Sequence, residues 1–213
     1  MKINMKALSI LVFLFSVNVW SYVQNENEQN FSSQIARAKN QSLPMAQRWD
    51  ALIKSAEAAD GQQIQQVLEF AKSKDWYMRN ALLVALDKMG TDLVYDKAKV
   101  LLSDKALVVR SAAVDILTRL ENQEVRNLLA KELNRSYNFV GKKSLWIRAQ
   151  IMKNLVKKPY QSEREYFSKL LFDNDEEISL MSMKALEKIS QVHFDGEKAL
   201  DSWKKFVKEQ KWL

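Results

Sequence analysis

The sequence predicts an all-α chain, an α-solenoid of about five stacked helix pairs closed by a C-terminal capping helix. Three observations predict it. Arg48, Arg79 and Arg110 recur at a spacing of 31 residues, Arg148 follows 38 later, and Ser179 takes the slot 31 after that. Apolar positions keep register with this slot: Met78, Val109, Ile147 and Ile178 stand one place before it, and Leu86, Leu117, Leu155 and Leu186 seven places after it. The helix breakers respect the same partition. Pro44, Gly61, Gly90, Gly141, Pro159 and Gly196 all lie between proposed helices, where freedom of φ or a missing N–H does no damage.

Residues 1–21 place Lys2 and Lys6 ahead of an apolar stretch from Ala7 to Val19 and end on the small residue Ser21, the pattern of a cleavable secretory signal peptide. The stretch is shorter than the roughly 20 residues a membrane-spanning helix needs. Residues 22–34 are polar and poor in apolar side chains, which predicts a flexible lead-in. Residues 35–195 hold the repeats as one structural domain. In each repeat a first helix (62–74, 92–104, 122–134, 162–174) precedes the helix that carries the slot, whose apolar residues recur at a period near 3.6. A pair this short cannot enclose its own apolar stripe, so neighbours must share one core. The seven-residue slip in the period falls at 134–143, NRSYNFVGKK, which reads either as a contact loop or as a surface loop whose Phe139 packs on the array. Residues 196–213 put Leu200, Trp203, Phe206 and Val207 on one face and lysines on the other, as a terminal cap requires.

The string Asp104, Val109, Arg110, Ala113 and Leu117 resembles the short HEAT-like repeats also found in phycobilisome lyase subunits, over roughly residues 44–190. The resemblance implies polar ladders of Asp and Arg between successive repeats, pairing Asp75 with Arg79 and Asp104 with Arg110, with Arg148 in the same slot of the fourth unit. An arginine one place past a core position lays its stem on apolar surface and sends its guanidinium to a loop carboxylate or carbonyl of the adjacent repeat.

Catalytic chemistry has little to draw on. The chain has no cysteine and a single histidine, His193, and no glycine-rich loop to cradle a phosphate, so the sequence calls for no enzyme activity, no cofactor and no metal site. Neighbouring carboxylates such as Glu176 and Glu177 sit at helix starts, where they complement the macrodipole. The formal charge of +7 falls to about +5 without the leader lysines, too modest to mark a nucleic-acid partner.

Nine places after the slot four consecutive units carry a base: Lys88, Arg119, Lys157 and Lys188. Two readings stand, complementation of the helix dipole or a cationic row across the concave face. Tyr77, Val108 and Trp146 share a register position two places before the slot and form a candidate apolar strip on that face, with Tyr137 in the insertion as a further contact residue. The function expected is that of an exported, periplasmic or secreted, non-catalytic scaffold that binds a protein or peptide partner. The alternative is recognition of an anionic envelope polymer or membrane surface by the basic row. Behind these stand nucleic-acid binding, against which the leader argues, and a lyase or chaperone role for a tetrapyrrole carrier, which rests on resemblance alone.

If residues 1–21 are a cleaved leader, the mature amino terminus lies within a few residues of Tyr22. Edman sequencing or intact mass of the exported protein checks this, and a full-length species held in the membrane would contradict it.

Overall fold

The computed structural model describes residues 26–213, and these are mostly helical. The expected leader, its cleavage site near Ser21 and the first residues of the lead-in lie outside the described residues. Among the described residues no helix is long and apolar enough to cross a membrane. The described residues divide into two compact units, 26–97 and 98–213.

In the first unit, residues 26–39 form a helix, α1. Over residues 26–34 this corrects the reading of a flexible lead-in. The composition there is polar, but Phe31, Ile35 and Ala38 fall on one face and are buried, and three apolar residues at helical spacing suffice when a neighbour covers them. α2 (Met45–Ala58) follows Pro44 and is tied back to α1 by Arg48, whose Nε donates to the Ala38 carbonyl at 3.1 Å. α3 (Ile64–Leu68) runs into a 3-10 turn over Glu69–Lys72. α4 (Trp76–Lys88) packs along α2 and buries Met78, Leu82, Leu83 and Leu86 together with two alanines. That is a wider stripe than one contact face needs, because α4 is covered both by α2 and by the 3-10 turn at Glu69–Lys72. Gly90, at φ 63°, ends the α4 segment in the left-handed region.

α5 (Leu93–Leu101) contains the division between the units. The second unit continues with α6 (Leu107–Leu117), α7 (Gln123–Leu133), α8 (Trp146–Lys157), α9 (Arg164–Leu170), α10 (Glu176–Ser190) and α11 (Ala199–Glu209). The slot-bearing helices α6, α8 and α10 pack side by side in order, and α7 and α9 pack against α8 and α10 respectively. Val109, Leu117, Ile147, Leu155, Ile178 and Leu186, the register positions read from the repeat, are all buried. Short polar residues start the helices: Asn122 Oδ1 accepts from Val125 N at 2.9 Å and Asp175 Oδ1 from Glu177 N at 3.1 Å.

The slip in the period is built as an ordered module. After α7 the chain makes a 3-10 turn at Ser136–Asn138 and an antiparallel hairpin, β1 (Phe139–Val140) and β2 (Lys143–Ser144). Gly141 takes φ 60° in its two-residue turn, a conformation that favours glycine. At the other end α11 buries Trp203 and Val207 against α10, and Phe194 and Phe206 meet the Trp203 ring edge-on at 5.4 and 5.5 Å.

Leu117 is wholly buried in the second unit. Leu117→Ala is expected to cost about 2–5 kcal/mol through lost transfer energy and the cavity left behind, measured by thermal or denaturant unfolding. A variant as stable as the parent would show that the register is misassigned.

Candidate functional site

The slot arginines Arg48, Arg79, Arg110 and Arg148 are 5%, 5%, 2% and 1% exposed, so each guanidinium must find its partners inside the protein. Arg79 donates to the Ser73 and Lys74 carbonyls at 2.7 and 3.2 Å. Arg110 repeats this offset, donating to the carbonyls of Asp104 and Lys105 at 2.7 and 3.2 Å, so its bond to Asp104 runs to the main chain. Asp75 gives its carboxylate to Arg48, one helix pair earlier, at 2.7 Å, which corrects the expected pairing of that carboxylate with Arg79. The same arginine donates to the Tyr77 hydroxyl.

Arg148 makes the most complete set. Its Nε donates to the Leu133 carbonyl at 3.0 Å, Nη1 to Ser144 Oγ at 2.6 Å, and Nη2 to Asp173 Oδ2 at 2.6 Å. The Phe139 ring lies 4.4 Å from its Cζ. Burial raises the Asp173 pKa, but the bonds from Arg148 and from the Asp175 N–H outweigh it and hold the carboxyl below its ordinary value. Asp173 follows Arg148 by 25 residues in sequence, and the packing of α10 against α8 brings them together.

The insertion serves the same column. Arg110 Nε donates to Asn138 Oδ1 at 3.1 Å and Nη2 to the Tyr137 carbonyl at 3.1 Å, with the Tyr137 ring 4.9 Å from Cζ. Asn138 is fully buried and donates to the carbonyl and side chain of Glu132 at 2.8 and 3.1 Å. Tyr137 donates its hydroxyl to the same carboxylate at 2.8 Å. Burial, then that bond and the Glu132 charge, push its pKa up to about 12. The Tyr137 hydroxyl, expected as a contact for ligand, is thus held inside the fold, while the ring stays 38% exposed.

The basic row divides by use. Lys88, Arg119, Lys157 and Lys188 all lie at the ends of their helices with exposed side chains. Lys188 reaches back to the carbonyls of Val156 and Lys157 at 2.8 and 3.2 Å, capping the C-terminus of α8 as dipole complementation requires. Lys157 bonds the Asn154 side chain at 2.9 Å on its own helix. Arg119 and Lys157 line one cleft of about 230 Å³ with Leu120, Val125, Leu129 and Tyr160. A second guanidinium lining it, Arg126, is already engaged: it grips Glu163 with two bonds of 2.6 Å, donates to the Leu155 carbonyl at 2.8 Å and lies 4.5 Å from the Tyr160 ring centroid.

Of the apolar strip, Val108 and Trp146 are 48% and 53% exposed, whereas Tyr77 is half-buried beside Arg48. His193 has a carboxylate on each ring nitrogen, Glu187 at 3.0 Å and Asp195 at 2.9 Å. The Asp195 bond first, then both charges, raise its pKa. Both nitrogens are therefore occupied. Sequence reasoning missed the Arg126–Glu163 pair and the Asn138–Glu132 network. Only the polar composition of 132–138 hinted at the second, since these partners come together through packing. A comparison with family models and with curated proteins finds no match to either.

Removing Arg148 takes from the Asp173 carboxylate its charged partner, leaving it the Asp175 N–H, and removes the side-chain donor of the Leu133 carbonyl. Arg148→Ala is expected to cost about 3–5 kcal/mol, while Lys99→Ala, which breaks an exposed 3.0 Å pair with Glu124, is expected to cost no more than about 1 kcal/mol. Because Asp173 is depressed in the folded state, the pair contributes fully above the unfolded-chain value of about 3.9 and fades as pH falls through the lower folded value. Denaturant midpoints across acid pH should therefore converge for parent and Arg148→Ala, and parallel curves would contradict the assignment.

Proposed function

We propose that the chain is an exported, non-catalytic binding scaffold, a solenoid of HEAT-like helix pairs whose slot-bearing helices present a protein or peptide partner with an apolar strip and a basic row. Its place is the periplasm or the cell exterior. The observation that carries this reading is one offset in successive units: Val108 on α6 with Arg119 two residues past its end, then Trp146 and Lys157 on α8, each pair eleven residues apart and all four side chains exposed. In α8 eleven residues are close to three full turns, so Trp146 and Lys157 lie on one helix face about 16 Å apart. Roughly five residues of extended peptide span that distance. The cleft beside Arg119 and Lys157 supplies apolar walls at the basic end, which favours a partner that brings side chains over a featureless polyanion.

Lys188 shows how a row base can serve the fold alone, so the test must separate binding from stability. Residues 22–213 are used as bait on an envelope extract, with captured proteins identified by mass spectrometry. Arg119→Glu with Lys157→Glu is expected to lose the partner at unchanged helicity and with a loss of stability on the order of 1 kcal/mol per helix. Lys105→Glu with Lys131→Glu, equal in charge change, should retain it. Equal capture by both variants would remove the row as a site.

A further inference from the structure

The hairpin between α7 and α8 is seated by one face and bare on the other. Residues opposite each other in an antiparallel pair project to the same side, and successive residues alternate. Phe139 pairs with Ser144, and this pair faces inward, its ring against the Arg148 guanidinium and its hydroxyl accepting from it. Val140 pairs with Lys143 and faces out, both exposed, the valine at 69%. Lys142 in the turn and Arg135 before the 3-10 turn are exposed as well, and among the described residues none of these three cations forms an ion pair. Trp146, 53% exposed, begins α8 three residues after Lys143.

The segment is held from beneath by the bonds of Asn138, Arg110 and Arg148, so the outward groups are fixed before any partner arrives. A loop that only joins two helices could show polar side chains to water at no cost. Here an apolar residue is displayed on a braced backbone and ringed by unpaired positive charge. Preorganisation of this kind lowers the ordering cost of association, and the charge sets the sign of the partner. Exposed Val140 and Trp146 ask for apolar side chains as well as carboxylates.

We propose that the hairpin is a docking surface for an extended acidic segment of a partner protein, one that carries apolar side chains among its carboxylates. The proposal rests on the reading of the chain as a binding scaffold but not on the basic row. The probe is a fluorescein-labelled peptide of alternating Glu and Leu, followed by anisotropy. The parent is expected to bind it, more weakly as salt rises. Val140→Ser with Lys142→Glu and Lys143→Glu should weaken binding on the order of ten-fold or more, with the melting temperature kept because all three side chains are exposed. Lys105→Glu with Lys131→Glu, equal in charge change, should stay within about two-fold of the parent. Loss with Arg119→Glu and Lys157→Glu and retention with the hairpin variant would overturn the hairpin and leave the scaffold reading standing. No binding by the parent, or equal binding of a control peptide of alternating Lys and Leu or of heparin, would overturn it too. A parent that sediments as a dimer and a hairpin variant that is monomeric would assign the surface to a second copy instead.

Discussion

A buried guanidinium has five N–H donors and keeps its charge at any ordinary pH, so an arginine at the slot cannot be accommodated by apolar packing alone. Arg148 draws its acceptors from the end of α7, from the hairpin and from the turn before α10, with an aromatic ring from the insertion against it. These atoms come from separate stretches of chain, so all of them must arrive together. Apolar contact would tolerate a small slide of one helix pair against the next. A guanidinium with bonds of 2.6 Å in fixed directions does not, and Arg148 therefore fixes how α7, the hairpin and the turn before α10 meet α8, while the leucines and isoleucines supply most of the stability.

The insertion shows what the column demands when the usual partner is missing. Arg48 and Arg148 each find an aspartate about one repeat later. After Arg110 the corresponding stretch reads RSYN, with no carboxylate. The extra residues fold back to place the Asn138 amide and the Tyr137 carbonyl on the guanidinium, and Asn138 passes the contact to the buried carboxylate of Glu132. The negative charge is thereby set one residue away from the arginine, bridged by a neutral group that satisfies both. A change of period that looks like a loop in sequence is part of the core's polar bonding.

Leu86, Leu117, Leu155 and Leu186 could be assigned to the interior from spacing alone, because helical periodicity is a local property of the chain. The slot arginines were visible for the same reason. Their partners were not, since Asp75 and Asp173 lie 27 and 25 residues beyond Arg48 and Arg148 and are found only once the packing of pairs is known. Proximity in sequence suggested Asp75 for Arg79, and stacking gave it to Arg48. Residues 26–34 were misread by composition, in which Phe31 is diluted among polar neighbours although it stands at helical spacing from Ile35 and Ala38. Of the candidate site, the positions were legible and their use was not: a lysine nine places after the slot has the same sequence setting whether it caps a neighbouring helix, as Lys188 does, or borders a cleft, as Lys157 does.

That difference gives a physical criterion for function in a chain with no catalytic set. Groups the fold consumes are poor candidates: the Tyr77 and Tyr137 hydroxyls, the ammonium of Lys188 and the guanidiniums of Arg126 and Arg148 are committed to internal bonds, and diverting them to a ligand would leave their partners inside the fold unsatisfied. Groups that are exposed on a rigid backbone and contribute little to folding carry no such penalty. Val108, Val140 and Trp146 are of this kind: Val108 and Trp146 stand two residues before a buried arginine, and Val140 follows Phe139, whose ring lies against Arg148. Rigidity at the buried arginines and exposure beside them thus have one origin. The same bonds that fix the packing of these helices also fix the surface positions next to them, so the apolar display can meet a partner without first being ordered by it.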